Sequence, residues 1–334
     1  MKIDFPHQQF AHCESGVTTN LLNYHGFPCS EALVFGIGAG LFFGYVPFIK
    51  LNFLPLTTFR TAPGSIFAKA TKRLGIEVKR EKFRDPLAAE KKLDELLAAG
   101  RPVGAQTGVF WLPFFPPAYR FHFNGHNLVV IGKEGDDYLI SDPIFEEPVR
   151  CPAADLRKAR FAKGALAPKG KIYYVEKMAE QFDVPGAVTA GIKEVCRGML
   201  KTPVPMAGVR GIRLLARQLE KWPAKLGDKQ TLLYLGHVIR MQEEIGTGGG
   251  GFRFIYAAFL QEAAEILKND ELLDLSNHCT EIGDLWRDFA LLASRVCKGR
   301  ATITDSFADL ADLLRQCATE EQLLFTRLNA TICR

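Results

Sequence analysis

The chain has 334 residues, is 47% hydrophobic and 24% charged, and carries a formal net charge of +5. That is ordinary globular composition, enough for one large or two medium domains. No apolar run reaches the ~18 residues of a membrane span, "MKIDFPHQQF" lacks the apolar core of a signal peptide, and a charge excess this small, confined to residues 1–180, is too weak to argue for nucleic-acid binding. A cytoplasmic protein with no integral membrane segment and no nucleic-acid partner is expected.

The first element follows "HCESG". In "CESGVTTNLLNYHG", Val17, Leu21 and Leu22 recur at helical spacing, and Gly26 stands where a helix C-terminus favours glycine. Ser30-Glu31 reads as a second helix start, and the glycines of "FGIGAGLFFGY" imply close packing or a pocket wall. "PLAAEKKLDELLAAGRP" is a helix, with Pro86 at its start, Leu87, Leu93, Leu96 and Leu97 inward, and Gly100 and Pro102 beyond its end. "PVGAQTGVFW" and "KIYYVEK" read as strands, and "NLVVIGKEGDDYLISDP" as a hairpin turning at "KEGDD". "FDVPGAV" is a breaker-rich joint. Beyond it the pattern is helical, over 209–221, 229–245, 252–268, 278–298 and 303–328. These signals predict an α+β domain over residues 1–180 followed by an all-α domain over 181–334. There is no internal repeat, and "GTGGGG" at 246–251 is the one low-complexity stretch.

Eight cysteines, at 13, 29, 151, 196, 279, 297, 317 and 333, follow no regular framework and read as free thiols. Cys13 opens a helix. The unpaired N–H groups and dipole of a helix N-terminus favour a thiolate, and a neighbouring imidazole can take its proton. The hairpin supplies a candidate base and its orienting acid: His126 begins one strand and Asp142 ends the other. With a two-residue turn at Gly135-Asp136, Asp142 falls opposite Val129, not His126, and a longer turn or a bulge would change that register. Each residue also has a plainer reading: a buried apolar thiol, a structural histidine, a turn aspartate before proline. A metal site is a poor rival. His12, Cys13, His25 and Cys29 lack the paired close spacing of zinc ligands, and Gly125 between His122 and His126 argues against a ligand helix.

"HCESGVTTNLLNYHGFPCSEALVFGIGAGLFF", "GHNLVVIGKEGDDYLISDP" and "GTGGGGFRFIYAAFLQEAAEI" with "IGDLWRDFA" together resemble the family of butirosin biosynthesis protein H. The resemblance implies a papain-like (C39-like) α+β domain with an antiparallel sheet, followed by an all-α domain. It implies a cysteine acyltransferase that moves an acyl group from the phosphopantetheine thioester of an acyl carrier protein, or from coenzyme A, to a small-molecule amine. Cys13 would be the nucleophile, His126 the base and Asp142 the orienting acid, with no bound cofactor and no metal. Papain-like enzymes place an oxyanion-binding Gln six residues before the nucleophile. Here that position is His7, so Gln8 or Gln9, with the Cys13 N–H, is expected to take the role.

Glu14, Glu31, Gly248 and Gly249 are the candidate substrate-binding residues. Against that, Glu14 and Ser15 also suit a helix N-terminus, and "GTGGGG" also suits a connector, since it lacks the Gly-Lys-Ser/Thr ending of a P-loop. Arg210, Arg213, Arg217 and Lys221 share one helical face, which reads as solvated or as a seat for an acidic carrier protein. Two other functions fit the same residues: a thioesterase or amidase on the same triad, and a non-catalytic binding protein with a peptidase-like fold. The acyl chain, the acceptor and the oligomeric state are not encoded in any motif.

Overall fold

The computed structural model describes residues 2–51, 53–301 and 303–333. In chain order its elements are helices α1 (Cys13–Tyr24) and α2 (Glu31–Ile37), strands β1 (Leu41–Leu51) and β2 (Leu54–Arg60), α3 (Ser65–Arg73), β3 (Glu77–Glu81), α4 (Pro86–Ala98), β4 (Val103–Thr107), β5 (His126–Glu134), β6 (Asp137–Ser141), β7 (Val149–Pro152), α5 (Ala153–Arg160) and β8 (Ile172–Lys177). Helices α6 (Val184–Leu200), α7 (Gly208–Leu219), α8 (Trp222–Leu226), α9 (Asp228–Ile239), α10 (Arg253–Leu267), α11 (Glu271–Cys297) and α12 (Ile303–Cys333) complete the chain.

The contacts divide it into two compact units. One comprises Met1–Val34 and Thr71–Phe182, the other Phe35–Ala70 and Asp183–Arg334. The helical unit thus begins its main run close to residue 180, but it also contains residues 35–70.

The first unit is built on a six-stranded antiparallel sheet in the order β3-β8-β4-β5-β6-β7. Helix α1 packs against β5, and α4 against β4 and β5. Val17, Leu21 and Leu22 are fully buried. Helix α4 starts as its sequence dictates: the Asp85 carboxylate accepts from the N–H groups of Leu87 and Ala88, and Pro86 needs no acceptor. Leu93, Leu96 and Leu97 face inward, but Leu87 is 65% exposed. Leu87 stands in the first turn, before the buried stripe is established.

In the second unit β1 and β2 form a hairpin, and α10, α11 and α12 pack as neighbours. Its core is aromatic: Trp286 stacks on Phe43, and Phe59 meets it edge-on. A buried ion pair crosses that core. Arg253 Nε donates to Glu321 Oε1 at 2.9 Å, and Trp286 Nε1 donates to the same oxygen at 2.7 Å. The joint "FDVPGAV" holds both the division between the two units, after Phe182, and the start of α6. Asp183 caps Gly186 N–H, and Pro185 sits in the first turn, where a missing N–H costs nothing. Among the described residues no helix is long and apolar enough to cross a membrane.

Candidate active site

Cys13 is the first residue of α1. His12 before it has extended dihedrals, and its Nδ1 accepts from Ser15 N–H, so an imidazole caps the helix. At this position the Cys13 N–H has no acceptor within the helix. Cys13 itself is only 9% exposed. Gly16, one turn on, explains how α1 comes so close to the end of β6. A Cβ there would stand 2.8 Å from the Cβ atoms of both Phe10 and Pro143.

His126 opens β5, pairing with Thr107 of β4. Its Nε2 lies 2.6 Å from Asp142 Oδ2, while Asp142 Oδ1 accepts from Ile144 N–H. Cys13 lies close enough to the imidazole to bear on its protonation, favouring the charged form. His126 and Asp142 are both buried, at 4% and 0% exposure. The register explains the meeting. Val129 pairs with Ser141 and Val130 with Ile140, but Gly132 pairs with Leu139, so Ile131 is an extra residue in β5. A one-residue slip turns a side chain to the opposite face of a sheet. Without the bulge Asp142 would stand opposite Val129, facing away from His126. With it, the register continues to Leu128, which shares a face with His126.

Burial acts to lower the His126 pKa, but the Asp142 carboxylate, by charge and hydrogen bond, and Cys13 outweigh it and push it up to about 10. The ring of Phe115 meets the imidazole edge-on at 5.4 Å, with Phe145 behind it. These aromatics keep water from the imidazole–carboxylate bond, where low dielectric strengthens it.

The N-terminal arm is pinned beside this site. Ile3 N–H donates to Ile131 O at the bulge, and Phe10 N–H to Pro143 O. His7, in the place of the expected oxyanion glutamine, instead lies 2.7 Å by Nδ1 from Ser141 Oγ and 3.0 Å by Nε2 from Phe145 O. Gln8 exchanges two backbone hydrogen bonds with the Asn20 amide and leaves its side chain exposed. The Gln9 amide donates to Ile144 O. Glu14 is fully buried, and its charge bears on Tyr173 and Lys171. The Glu31 carboxylate accepts from Ala11 N–H, His12 N–H and Ser15 Oγ.

Gly248 and Gly249 belong to the second unit. Gly248 to Gly251 and then Phe252 all have positive φ, which glycine alone adopts without strain. A Cβ at Gly249 would meet Arg287 Nη2 at 2.7 Å. Loop geometry therefore accounts for these glycines. Among the described residues no group of three or more His, Cys, Asp or Glu could hold a metal ion. Spacing did not reveal Phe115, Gly16 or the pinning role of His7. The aromatic run "VFWLPFFPPAYRFHF" was the visible sign of the first.

Residues 12–143 match the family model described as butirosin biosynthesis protein H, N-terminal. Residues 154–328 match a domain of unknown function, DUF4872. Among solved structures, a protein described as a C39-like peptidase from Bacillus anthracis shares 17% identity with a TM-score of 0.39, covering 54% of this chain and 100% of its own. No curated protein matches the chain.

Proposed function

Because the chain belongs to the family of butirosin biosynthesis protein H, we propose that it is a cysteine acyltransferase, passing an acyl group from the phosphopantetheine thioester of a carrier protein to a small-molecule amine. The observation that carries this reading is the Cys13–His126–Asp142 relay at the N-terminus of α1.

The reaction takes two steps. The Cys13 sulfur attacks the thioester carbonyl while His126 holds its proton. The bond from carbonyl carbon to donor sulfur breaks, and the departing thiol takes that proton from the imidazolium. One thioester has replaced another, so this step is nearly balanced. The amine then attacks the acyl-Cys13 carbonyl, His126 accepts the amine proton, and the carbon–sulfur bond to Cys13 breaks. Amide formation draws the second step forward. The Cys13 N–H faces the developing oxyanion, and Asp142 holds the imidazole without itself moving a proton.

Incubation with an acylated carrier protein and no amine tests this. An acyl mass on Cys13 by peptide mass spectrometry is the expected result. It should vanish in Cys13→Ala and form severely more slowly in His126→Ala. An amine should discharge it to an amide. Discharge only to free acid would make the enzyme a hydrolase, and full transfer by Cys13→Ala would refute the covalent route.

A further inference from the structure

We infer that Glu31 is the positioning residue of the nucleophile, its carboxylate fastening the turn that carries Cys13 from both sides. The inference rests on the reading of Cys13 as nucleophile.

A carboxylate offers about four acceptor sites. Three of those on Glu31 serve residues that flank Cys13. Oε2 accepts from Ala11 N–H at 3.0 Å. Oε1 accepts from His12 N–H at 2.8 Å and from Ser15 Oγ at 2.8 Å. Two of these donors precede the cysteine and one follows it, so a single rigid group spans the residue between. The clasp extends one bond further. Ser15 N–H donates to His12 Nδ1, the cap of α1, while Ser15 Oγ donates to Glu31, so Ser15 joins the cap to the carboxylate. The helix start is thus fixed by His12, and His12 and Ser15 are fixed by Glu31.

Glu31 is well placed to act as an anchor. It is the first residue of α2, whose entry is capped by Ser30 Oγ accepting from Leu33 N–H. Its backbone is held there while its side chain reaches back 16 to 20 residues. His12 is 3% exposed, so its N–H would lose its acceptor with no water to replace it. Burial raises the carboxyl pKa, and the hydrogen bonds from His12, Ser15 and Ala11 oppose that rise. The three donors offset the partial desolvation of this half-buried carboxylate. Glu31 touches neither the sulfur nor its proton acceptor. Its effect is on where the sulfur stands, and a displacement of about 1 Å at a reacting centre costs roughly 100-fold in rate.

Glu31→Gln preserves shape and removes the second acceptor oxygen, setting an NH2 group against one of the donors. The readout is the alkylation rate of Cys13 by iodoacetamide, with the exposed Cys333 as internal control and thermal unfolding followed in parallel. Cys13 alkylation should fall by about 10-fold or more, the scale of a lost charge-assisted hydrogen bond, while Cys333 labelling is unchanged. In Glu31→Ala, added formate should restore part of the rate by supplying the missing acceptor. Ser15→Ala deletes one donor and keeps the carboxylate, and should slow alkylation by a smaller factor. A folded Glu31→Gln that alkylates at the wild-type rate, or a Ser15→Ala with no effect, would overturn the assignment. Alkylation needs no acyl donor, so failure of acyl transfer would be seen separately from failure of the clasp.

Discussion

His126 is held under two opposing pressures. Burial disfavours its charged form, while Asp142 and Cys13 favour it and win, placing the imidazole near 10 against an ordinary 6.5. A proton that binds more tightly in the folded chain stabilises the fold. That contribution is fully present below about 6.5 and is lost as pH rises through about 10. Asp142→Asn removes the charge and leaves burial in place, so the His126 titration midpoint should drop well below about 10. Imidazole resonances followed by NMR across pH would show it. A midpoint unchanged near 10 would mean that Asp142 does not control the base. At this scale the sequence was partly legible. Cys13, His126 and Asp142 could be picked out by residue type and resemblance. Glu31 was expected to bind substrate, and its use on Ala11, His12 and Ser15 was hidden because it depends on α1 and α2 being folded together.

The elements that carry these residues are joined by two small features, a bulge and a glycine. Hairpin, helix and their polarity were readable from the alternation in "NLVVIGKEGDDYLISDP" and the caps around α1 and α4. The extra residue at Ile131 was not, because Val-Val-Ile-Gly looks the same with or without a bulge. Yet that residue decides which face Asp142 occupies. Gly16 sets the other distance. A methyl group there would meet Phe10 and Pro143 at 2.8 Å, and those contacts are rigid parts of an arm and a turn. Gly16→Ala should therefore push α1 from the β6 end, costing about 1–3 kcal/mol of stability and slowing Cys13 alkylation by roughly 10-fold or more. Chemical denaturation and timed alkylation measure the two effects. Wild-type values in both would show that the close approach is not required.

Across the whole molecule, the helical half was legible as a run of amphipathic patterns, but its membership was not. Phe35, Phe43 and Phe59 pack with Phe252 and Trp286, so residues 35–70 join α6–α12 in one unit. A contact between strands near residue 50 and helices near residue 280 leaves no local trace in a sequence. The Arg253–Glu321 pair was hidden for the same reason, its partners being 68 residues apart. The central claim can also be tested across the whole chain, because the eight cysteines differ so widely in access. Exposure alone would rank Cys333 first, with Cys29 and Cys297 half-buried and Cys13 nearly closed off. Burial pushes the thiols of Cys151, Cys196 and Cys279 up to about 12, so these should lag furthest. A short pulse of iodoacetamide at neutral pH, read peptide by peptide in the wild type and in His126→Ala, separates chemistry from access. The account predicts that Cys13 labels before Cys333 in the wild type and falls behind it in His126→Ala. If Cys333 labels first in the wild type and His126→Ala leaves Cys13 unchanged, Cys13 is a buried thiol and not an activated nucleophile.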